Sequence, residues 1–177
     1  MIPDMIIRPA CEEDVKGLQA ALFANRSDPS LFLRSEQNLR RYLGDFVVAE
    51  EAGSVVGCAA LHAYSPALSE LLSVAVLPEC QGQGVGARLV QDCLERAKAH
   101  SFHCVFLATT KVTYFARFGF QPFSRWQLPS GVLLRKLGQV FHQPPARWLP
   151  ALLGRHTFMR FKIRGRSADA LSTSAAR

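Results

Sequence analysis

The stretch that decides the fold is Cys80–Val90, CQGQGVGARLV, which places glycines at 82, 84 and 86 directly before a segment with helical periodicity. The apolar run Leu71–Leu77 precedes it, so the pattern is strand, glycine-rich loop, helix. Glycines let a backbone approach a ligand closely, and the free N–H groups of a first helical turn carry partial positive charge. We therefore predict a phosphate site, specifically for the pyrophosphate of a nucleotide cofactor.

Two well-known phosphate-binding loops do not match this stretch. A nucleoside-triphosphate loop needs Gly-Lys followed by Ser or Thr, and a dinucleotide-binding loop places its glycines after the first strand. Here the glycines follow the fourth predicted strand. The pattern that remains is Q-x-x-G-x-G, formed by Gln81, Gly84 and Gly86. The alternative is a glycine-rich connection that binds no ligand.

Outward from this loop, short helical and extended patterns follow one another along the chain. Strands are predicted at 5–8, 45–50, 54–63, 70–77, 104–108, 120–123 and 156–163, and helices at 11–23, 35–43, 84–100, 111–118 and 128–141. Three successive strands separated only by turns indicate an antiparallel meander. The predicted fold class is α/β, of the α+β type: a single domain, 1–164, with a mixed, mostly antiparallel central sheet flanked by helices. The small polar segment 165–177 is predicted to be a disordered tail.

Composition limits the class of protein and its partners. The 177 residues, 49% of them apolar, suffice for one domain with a substantial core. No long apolar run or leader pattern is present, and the five cysteines form no CxxC pair, so we expect a soluble protein of the cytoplasm that does not bind a membrane. Residues 1–95 hold thirteen of the fourteen acids, whereas 96–168 hold thirteen Lys and Arg and no acid. This basic segment favours an anionic partner: nucleic acid, an anionic membrane, or a small ligand with several phosphates or carboxylates.

The loop motif, its place after an apolar strand and Tyr114–Phe120, YFARFGF, together resemble the GNAT superfamily of acyl-CoA-dependent N-acyltransferases, over about residues 5–123. The resemblance implies that the loop amides bind the pyrophosphate of acetyl-CoA and that the preceding strand pairs with its pantetheine arm. It also implies direct, sequential acetyl transfer to an amine. The implied cofactor-binding residues are Leu72, Val74, Ala75, Val76, Gln81, Gly82, Gln83, Gly84, Val85, Gly86, Ala87 and Arg88.

Three stretches, 34–39 (RSEQNL), 55–62 (VVGCAALH) and 69–76 (SELLSVAV), resemble the GNAT domain of N-acetylglutamate synthases, which are amino-acid N-acetyltransferases. The resemblance implies that Glu70 is the base that accepts the proton of the substrate amine. The alternative is that Glu70 is a solvated acid at the start of a strand. The implied substrate is the α-amine of a small acidic amino acid, with L-glutamate expected, and the implied setting is arginine biosynthesis.

Arginines suit the carboxylates of such a substrate because a guanidinium binds both oxygens at once. The resemblance implies that Arg34 and Ser35 hold one substrate carboxylate. It implies that Arg155 and Thr157 complete the amino-acid site from a distant part of the chain.

The sequence departs from the family at the group that protonates the departing thiolate. Many GNAT proteins carry Tyr where Phe115 stands, and the synthases carry Ser where Ala108 stands. Tyr114 is one residue away, but neighbouring residues on a helix point about 100° apart. The alternatives are that Thr109, Thr110 or water serves as the acid, or that the reaction requires none.

The histidines give no metal site by their spacing. His100 and His103 form an HxxH at a predicted helix end, where the two rings would not share a face, so we expect no metal. His62 either lines the amine site or is a satisfied core histidine.

Other functions stay open at this level. One is acetylation of another amine, such as a drug, a peptide or a protein N-terminus, although a cationic polyamine would be repelled by the basic segment. Another is an acyl-CoA-binding regulatory module with weak catalysis. A third possibility is nucleic-acid binding through a surface formed by Trp126, Trp148, Phe158 and Phe161. We expect instead that these aromatic residues belong to the core or to an interface, and that the protein has no nucleic-acid partner. A homodimer is expected by analogy with the family.

Overall fold

The computed structural model describes residues 5–28, 31, 34–141 and 156–163, with the backbone alone at 137–141. The helices are α1 Val15–Ala24, α2 Glu36–Arg41, α3 Val85–Ala99, α4 Val112–Ala116 and α5 Ser130–Phe141. The strands are β1 Ile6–Pro9, β2 Phe46–Glu51, β3 Ser54–Ser65, β4 Leu68–Val76, β5 Cys104–Thr109, β6 Gln121–Pro122 and β7 Thr157–Lys162. The predicted tail, 165–177, lies outside the described residues.

The strands form one sheet in the order β1-β2-β3-β4-β5-β7-β6. All neighbouring strands are antiparallel except β4 and β5, which are parallel. The predicted meander and the mixed, mostly antiparallel sheet flanked by helices are therefore confirmed. Within the described residues, no helix has both the length and the apolar character that a membrane crossing requires.

Helices cover both faces of the sheet, and the alternation of β2 shows how the sequence builds the two layers. Phe46 and Val48 pack in the core beneath α1, whereas Val47 and Ala49 pack in the core beneath α3. Because successive side chains of a strand point to opposite faces, a strand buried on both faces must be apolar throughout. The run FVVA meets that requirement.

The parallel strands β4 and β5 separate part-way along their length. Their paired positions run from Leu68–Cys104 to Glu70–Phe106, after which β4 continues to Val76 and β5 to Thr109. A bulge in β4 accompanies the separation, because Ser73 has a φ of 56° and the β3–β4 register shifts beside it. Bulges bend a strand and interrupt its pairing. The sheet therefore opens between two adjacent strands.

The predicted helix at 11–23 begins differently from expectation, as a single 3₁₀ turn followed by α1. Asp14 ends this turn, and its carboxylate accepts hydrogen bonds from the N–H of Cys11 at 2.8 Å and from the two terminal nitrogens of Arg8 at 2.6 and 2.8 Å. Asp14 is 5% exposed. The Arg8 guanidinium lowers the pKa of this carboxyl from 3.8 to about 2. The ion pair between the two side chains links β1 to the start of α1.

This ion pair predicts how stability depends on pH. Because the folded pKa is depressed, the stabilisation is fully present above pH 3.8 and is lost as the pH falls through about 2. We expect urea unfolding at pH 7 to find Asp14→Asn less stable than wild type by about 2 kcal/mol. The difference should shrink toward zero between pH 4 and pH 2.

The control is Asp92→Asn, which removes the half-exposed pair of Asp92 with Arg96 one turn along α3. We expect it to lower the free energy of unfolding by less than about 0.5 kcal/mol. A difference for Asp14→Asn that persists undiminished at pH 2 would contradict the assignment.

Candidate active site

A cavity of about 1040 Å³ lies where β4 and β5 separate. Residues of both strands, of the glycine-rich loop and of the first turn of α3 line it. From β4 they are Glu70, Leu71, Leu72, Ser73, Val74 and Val76; from β5 Leu107, Ala108 and Thr109; from the loop and α3 Gln81, Gly82, Gly84, Val85, Gly86 and Ala87. The cavity therefore joins the opened sheet edge to the start of a helix.

The glycine-rich loop ends in a helix N-terminus that has no side-chain cap. Gly82 and Gly84 have φ values of 77° and 86°, the left-handed region that favours glycine. Gly84 occupies the N-cap position of α3, and no described side chain accepts a hydrogen bond from the first turn. Its N–H groups and the positive end of the helix dipole are thus available to an anion in the cavity.

Gly86 serves a different purpose from the other two glycines. A Cβ built on Gly86 would lie 2.8 Å from the Tyr114 hydroxyl oxygen. The absence of a side chain at this position is what lets the phenol lie against the first turn of α3.

The resemblance implies that the loop binds acetyl-CoA, and on that expectation its geometry predicts a defect in cofactor binding. Gly84→Ala forces a Cβ into the left-handed region at a cost of about 1 kcal/mol, and it redirects the N–H groups that follow. We expect the KM for acetyl-CoA to rise about tenfold, the equivalent of one charge-assisted hydrogen bond, with kcat less affected. Steady-state kinetics and urea unfolding measure the two effects separately.

Gly53→Ala is the matched control. Gly53 has a φ of 76° in the turn between β2 and β3, and, as at Gly84, nothing lies within 4 Å of an added Cβ. The same loss of stability with an unchanged KM is expected there. Equal changes of KM in both variants would mean that the Gly84 effect is general destabilisation.

Gln81 bonds the glycine-rich loop to β4 and to the end of α1. Its side-chain amide donates to the Val76 carbonyl at 3.0 Å and to the side-chain oxygen of Asn25 at 3.2 Å. Asn25, just after α1, in turn donates to the carbonyls of Val76 and Ala21, each at 2.9 Å. Asn25 was not found by sequence reasoning, and a polar residue after a helix gives no particular signal. The network fixes the loop relative to α1 and β4.

Tyr114 and Phe115 are neighbours in α4, and their side chains lie in different surroundings. Phe115 is 7% exposed and packs against Phe120 in the core. Tyr114 is half-buried, lines the cavity beside α3 and carries the Arg117 guanidinium 4.2 Å above its ring centroid. The side-chain oxygen of Thr109, an alternative hydroxyl, accepts the N–H of Lys111 at 2.9 Å. Among these groups, Tyr114 places its hydroxyl over the start of α3.

Glu70 is the last β4 residue before the strands separate, and it is 3% exposed. One carboxylate oxygen accepts the Tyr64 hydroxyl at 2.9 Å. The other forms an ion pair with the ammonium of Lys136, a residue of α5. Sequence reasoning missed both partners. The signal for Lys136 is its spacing from Val132 and Leu133, because residues three and four apart share a helix face.

Arg34 lines the same cavity as Glu70. Its guanidinium donates to the Asn38 side chain at 3.0 Å and lies 5.8 Å from the ring centroid of Phe46. Its Nε is buried without a hydrogen-bond partner in the described part of the chain. Burial lowers the pKa of Arg34, and the negative charges of Glu70 and Asp45 oppose that shift. A buried, under-satisfied guanidinium in a cavity wall suits a carboxylate ligand.

Several predicted site residues do not line the cavity. Ser35 caps α2 by accepting the Asn38 N–H at 3.3 Å, and Gln83 donates to the Glu79 carbonyl at 3.0 Å. Arg88, expected near the phosphates, donates to the Met5 carbonyl at 2.8 Å because its side of α3 faces the start of β1.

Ala75 and Thr157 also lie apart from the cavity. Ala75 is buried in the core beneath α1. Its neighbours Val74 and Val76 line the cavity, and successive side chains of a strand point to opposite faces. Thr157 pairs with Thr109 in the sheet, while its neighbours His156 and Phe158 line the cavity. Arg155 lies outside the described residues.

The neighbours of His62 are side chains that hold its ring in place. His62 bonds Asp45 at 2.6 Å through Nδ1 and packs edge-on against Tyr42 and Tyr64. Within the described residues, no three His, Cys, Asp or Glu side chains form a group that could hold a metal ion.

Comparison with known proteins adds relatives of two kinds. A family model described as the acetyltransferase (GNAT) family matches residues 13–120. The amino-acid acetyltransferase of Aeromonas salmonicida is 32% identical over 124 residues, which are 69% of this chain and 28% of that protein. The amino-acid acetyltransferase of Pseudomonas syringae is 35% identical over 127 residues, 71% of this chain and 29% of that protein. This chain thus spans less than a third of the length of these curated relatives.

Solved structures share the fold. A Mycobacterium tuberculosis protein crystallised with CoA and a second ligand has a TM-score of 0.76 at 26% identity, over 89% of this chain and 99% of that one. The N-acetylglutamate synthase of Neisseria gonorrhoeae, complexed with coenzyme A and N-acetyl-glutamate, has a TM-score of 0.74 at 23% identity, over 92% of this chain and 36% of that one. At that identity, the second likeness concerns the fold alone.

Proposed function

This chain belongs to the acetyltransferase (GNAT) family, and on that premise we propose that it transfers the acetyl group of acetyl-CoA to the α-amine of a small acidic amino acid, with L-glutamate as the expected substrate. The observation that carries the proposal is that Glu70 and Arg34 line the same cavity as the uncapped start of α3. The similarity to amino-acid acetyltransferases supports the substrate class.

The described residues fit acetyl-CoA. The free N–H groups at the start of α3 suit a pyrophosphate, and the separated edges of β4 and β5 leave backbone groups that can bond to the amides of an extended arm. When bound, acetyl-CoA supplies an activated acetyl thioester, whose transfer consumes a neutral amine and releases a thiol.

Three side chains of this protein then have distinct tasks. Arg34 binds a substrate carboxylate and so orients the amine. Glu70 accepts the proton that the substrate ammonium must lose before it becomes a nucleophile. Tyr114 holds its hydroxyl proton at the start of α3, where it serves as the donor to the leaving group.

A second candidate is an acyl-CoA-binding module with little turnover. The observation that favours it is that both carboxylate oxygens of Glu70 are occupied, one by Tyr64 and one by Lys136. Such a module would bind acetyl-CoA without acetylating any amine.

The deciding experiment measures CoA release from acetyl-CoA with each of the twenty amino acids and with a panel of peptides, drugs and polyamines. Calorimetry with acetyl-CoA on the same preparation reports cofactor binding. Turnover with glutamate above the other amino acids supports the proposal. Turnover only with non-amino-acid amines removes the substrate class, and binding without any turnover favours the second candidate.

A further inference from the structure

The ion pair between Glu70 and Lys136 is a feature that acetyl transfer by itself does not require. The side chain of Glu70 is 4% exposed and that of Lys136 is 14% exposed. The Lys136 ammonium also lies over the rings of Phe106 and Phe158, 5.5 and 6.0 Å from their centroids. A buried ion pair contributes little net stability compared with apolar residues of the same size. Packing therefore gives no reason for a cation at this place.

The charges around the cavity leave an excess of one cation beside Glu70. Among the described residues that line the cavity, Lys111 pairs with Asp28, while Arg117 and Arg125 stack on aromatic rings. Arg34 and Lys136 remain with Glu70. Asp45 also acts on Arg34, but its carboxylate bonds to His62 and it does not line the cavity. Among the described residues that line this end of the cavity, one carboxylate therefore faces two cations. This end of the cavity thus suits a ligand with more negative than positive charge.

We infer that Lys136 is a specificity-determining residue that binds the side-chain carboxylate of the amino-acid substrate. This inference rests on the function proposed above. For Glu70 to take a proton from the substrate ammonium, Lys136 has to leave it, because two ammonium groups at one buried carboxylate repel each other. Lys136 then needs a new anionic partner, because an unpaired buried ammonium is strongly unfavourable.

An acidic amino acid supplies that partner. It brings one ammonium for Glu70, one carboxylate for Arg34 and a second carboxylate for Lys136, so that every charge in this part of the cavity is paired. A neutral amino acid leaves Lys136 without a partner or leaves it on Glu70, where it blocks the base. The exchange of partners therefore discriminates between glutamate and glutamine, which have nearly the same shape.

The test compares kcat/KM for glutamate and for glutamine in the full chain and its variants. We expect wild type to prefer glutamate. Lys136→Met should lower kcat/KM for glutamate by about 10- to 100-fold, the effect of one lost charge-assisted bond. The value for glutamine should stay unchanged or rise, because no lysine then competes for Glu70. Lys136→Arg should keep the preference. The control Lys98→Met removes the exposed pair with Glu95 on α3 and should change neither value.

The possible outcomes separate this inference from the proposed function. Equal losses with both substrates would overturn it, because they would show that Lys136 only holds Glu70 in position. Turnover of amino acids with no effect of Lys136→Met on the glutamate-to-glutamine ratio would overturn it as well, and leave the proposed function standing. If wild type acetylates no amino acid and binds none by calorimetry, both fail together. Binding of acetyl-CoA serves as the folding check for Lys136→Met. If that variant does not bind acetyl-CoA, Lys136→Gln replaces it, because the glutamine amide still bonds to Glu70 but carries no charge.

Discussion

Glu70→Gln is expected to lower kcat by about 10²- to 10⁴-fold, the range that general-base catalysis contributes, while the KM for acetyl-CoA stays within about threefold of wild type. The amide keeps the shape of the carboxylate, and its oxygen still accepts the Tyr64 hydroxyl, but it cannot take a proton from an ammonium. CoA release at saturating concentrations of both substrates measures the effect.

The same substitution leaves Lys136 as a buried cation without its counter-charge, so a loss of stability must be separated from a loss of chemistry. The double variant Glu70→Gln/Lys136→Met is expected to recover the free energy of unfolding but not kcat. Glu95→Gln, an exposed acid on α3, should leave kcat unchanged. A kcat for Glu70→Gln within threefold of wild type would remove Glu70 as the base.

Arg34→Ala is expected to raise the KM for the amino acid by about 30- to 1000-fold, which corresponds to truncating one partner of a buried charge pair, with a much smaller effect on kcat. The reason is that the Nε of Arg34 is buried without a partner in the described part of the chain, while the guanidinium lies in the wall of the cavity. Although burial lowers its pKa, an arginine remains a cation at neutral pH. Initial rates over a range of amino-acid concentrations give KM and kcat separately.

Two further variants sharpen this prediction. Arg34→Lys keeps the charge but loses the fork that binds both oxygens of a carboxylate, and an intermediate KM is expected. Arg41→Ala removes an exposed arginine at the end of α2, which lies over the ring of Tyr42, and should change neither constant. A fall in kcat at constant KM for Arg34→Ala would contradict a binding role.

The order of elements and the site loop are predictable from sequence because both depend on local patterns. The alternation of β2 and the glycines before α3 each act within a few residues. The three meander strands pair as their short turns predict, and the family match confirms the resemblance that the loop motif indicated. The homodimer and the location in the cytoplasm stay predictions.

The partners of the site residues are not predictable in this way, because they come from distant elements. Lys136 is 66 positions from Glu70, and its spacing shows only that it shares a helix face with apolar residues, not which cavity that face covers. For Arg88, the local pattern suggests a ligand contact that the packing does not provide. The residue lies one turn after the glycine-rich loop, yet the packing of α3 against the start of β1 gives it a backbone carbonyl to bond.

The separation of β4 and β5 also affects the cohesion of the molecule. In the described part of the chain, the strand pairing between β1–β4 and β5–β7 is short: it runs from Leu68–Cys104 to Glu70–Phe106. A ligand that hydrogen-bonds to the unpaired edges of both β4 and β5 links the two parts of the sheet. Its binding free energy then becomes part of the free energy of unfolding, by mass action. We therefore expect the thermal stability of this protein to rise with the concentration of acetyl-CoA, the proposed cosubstrate.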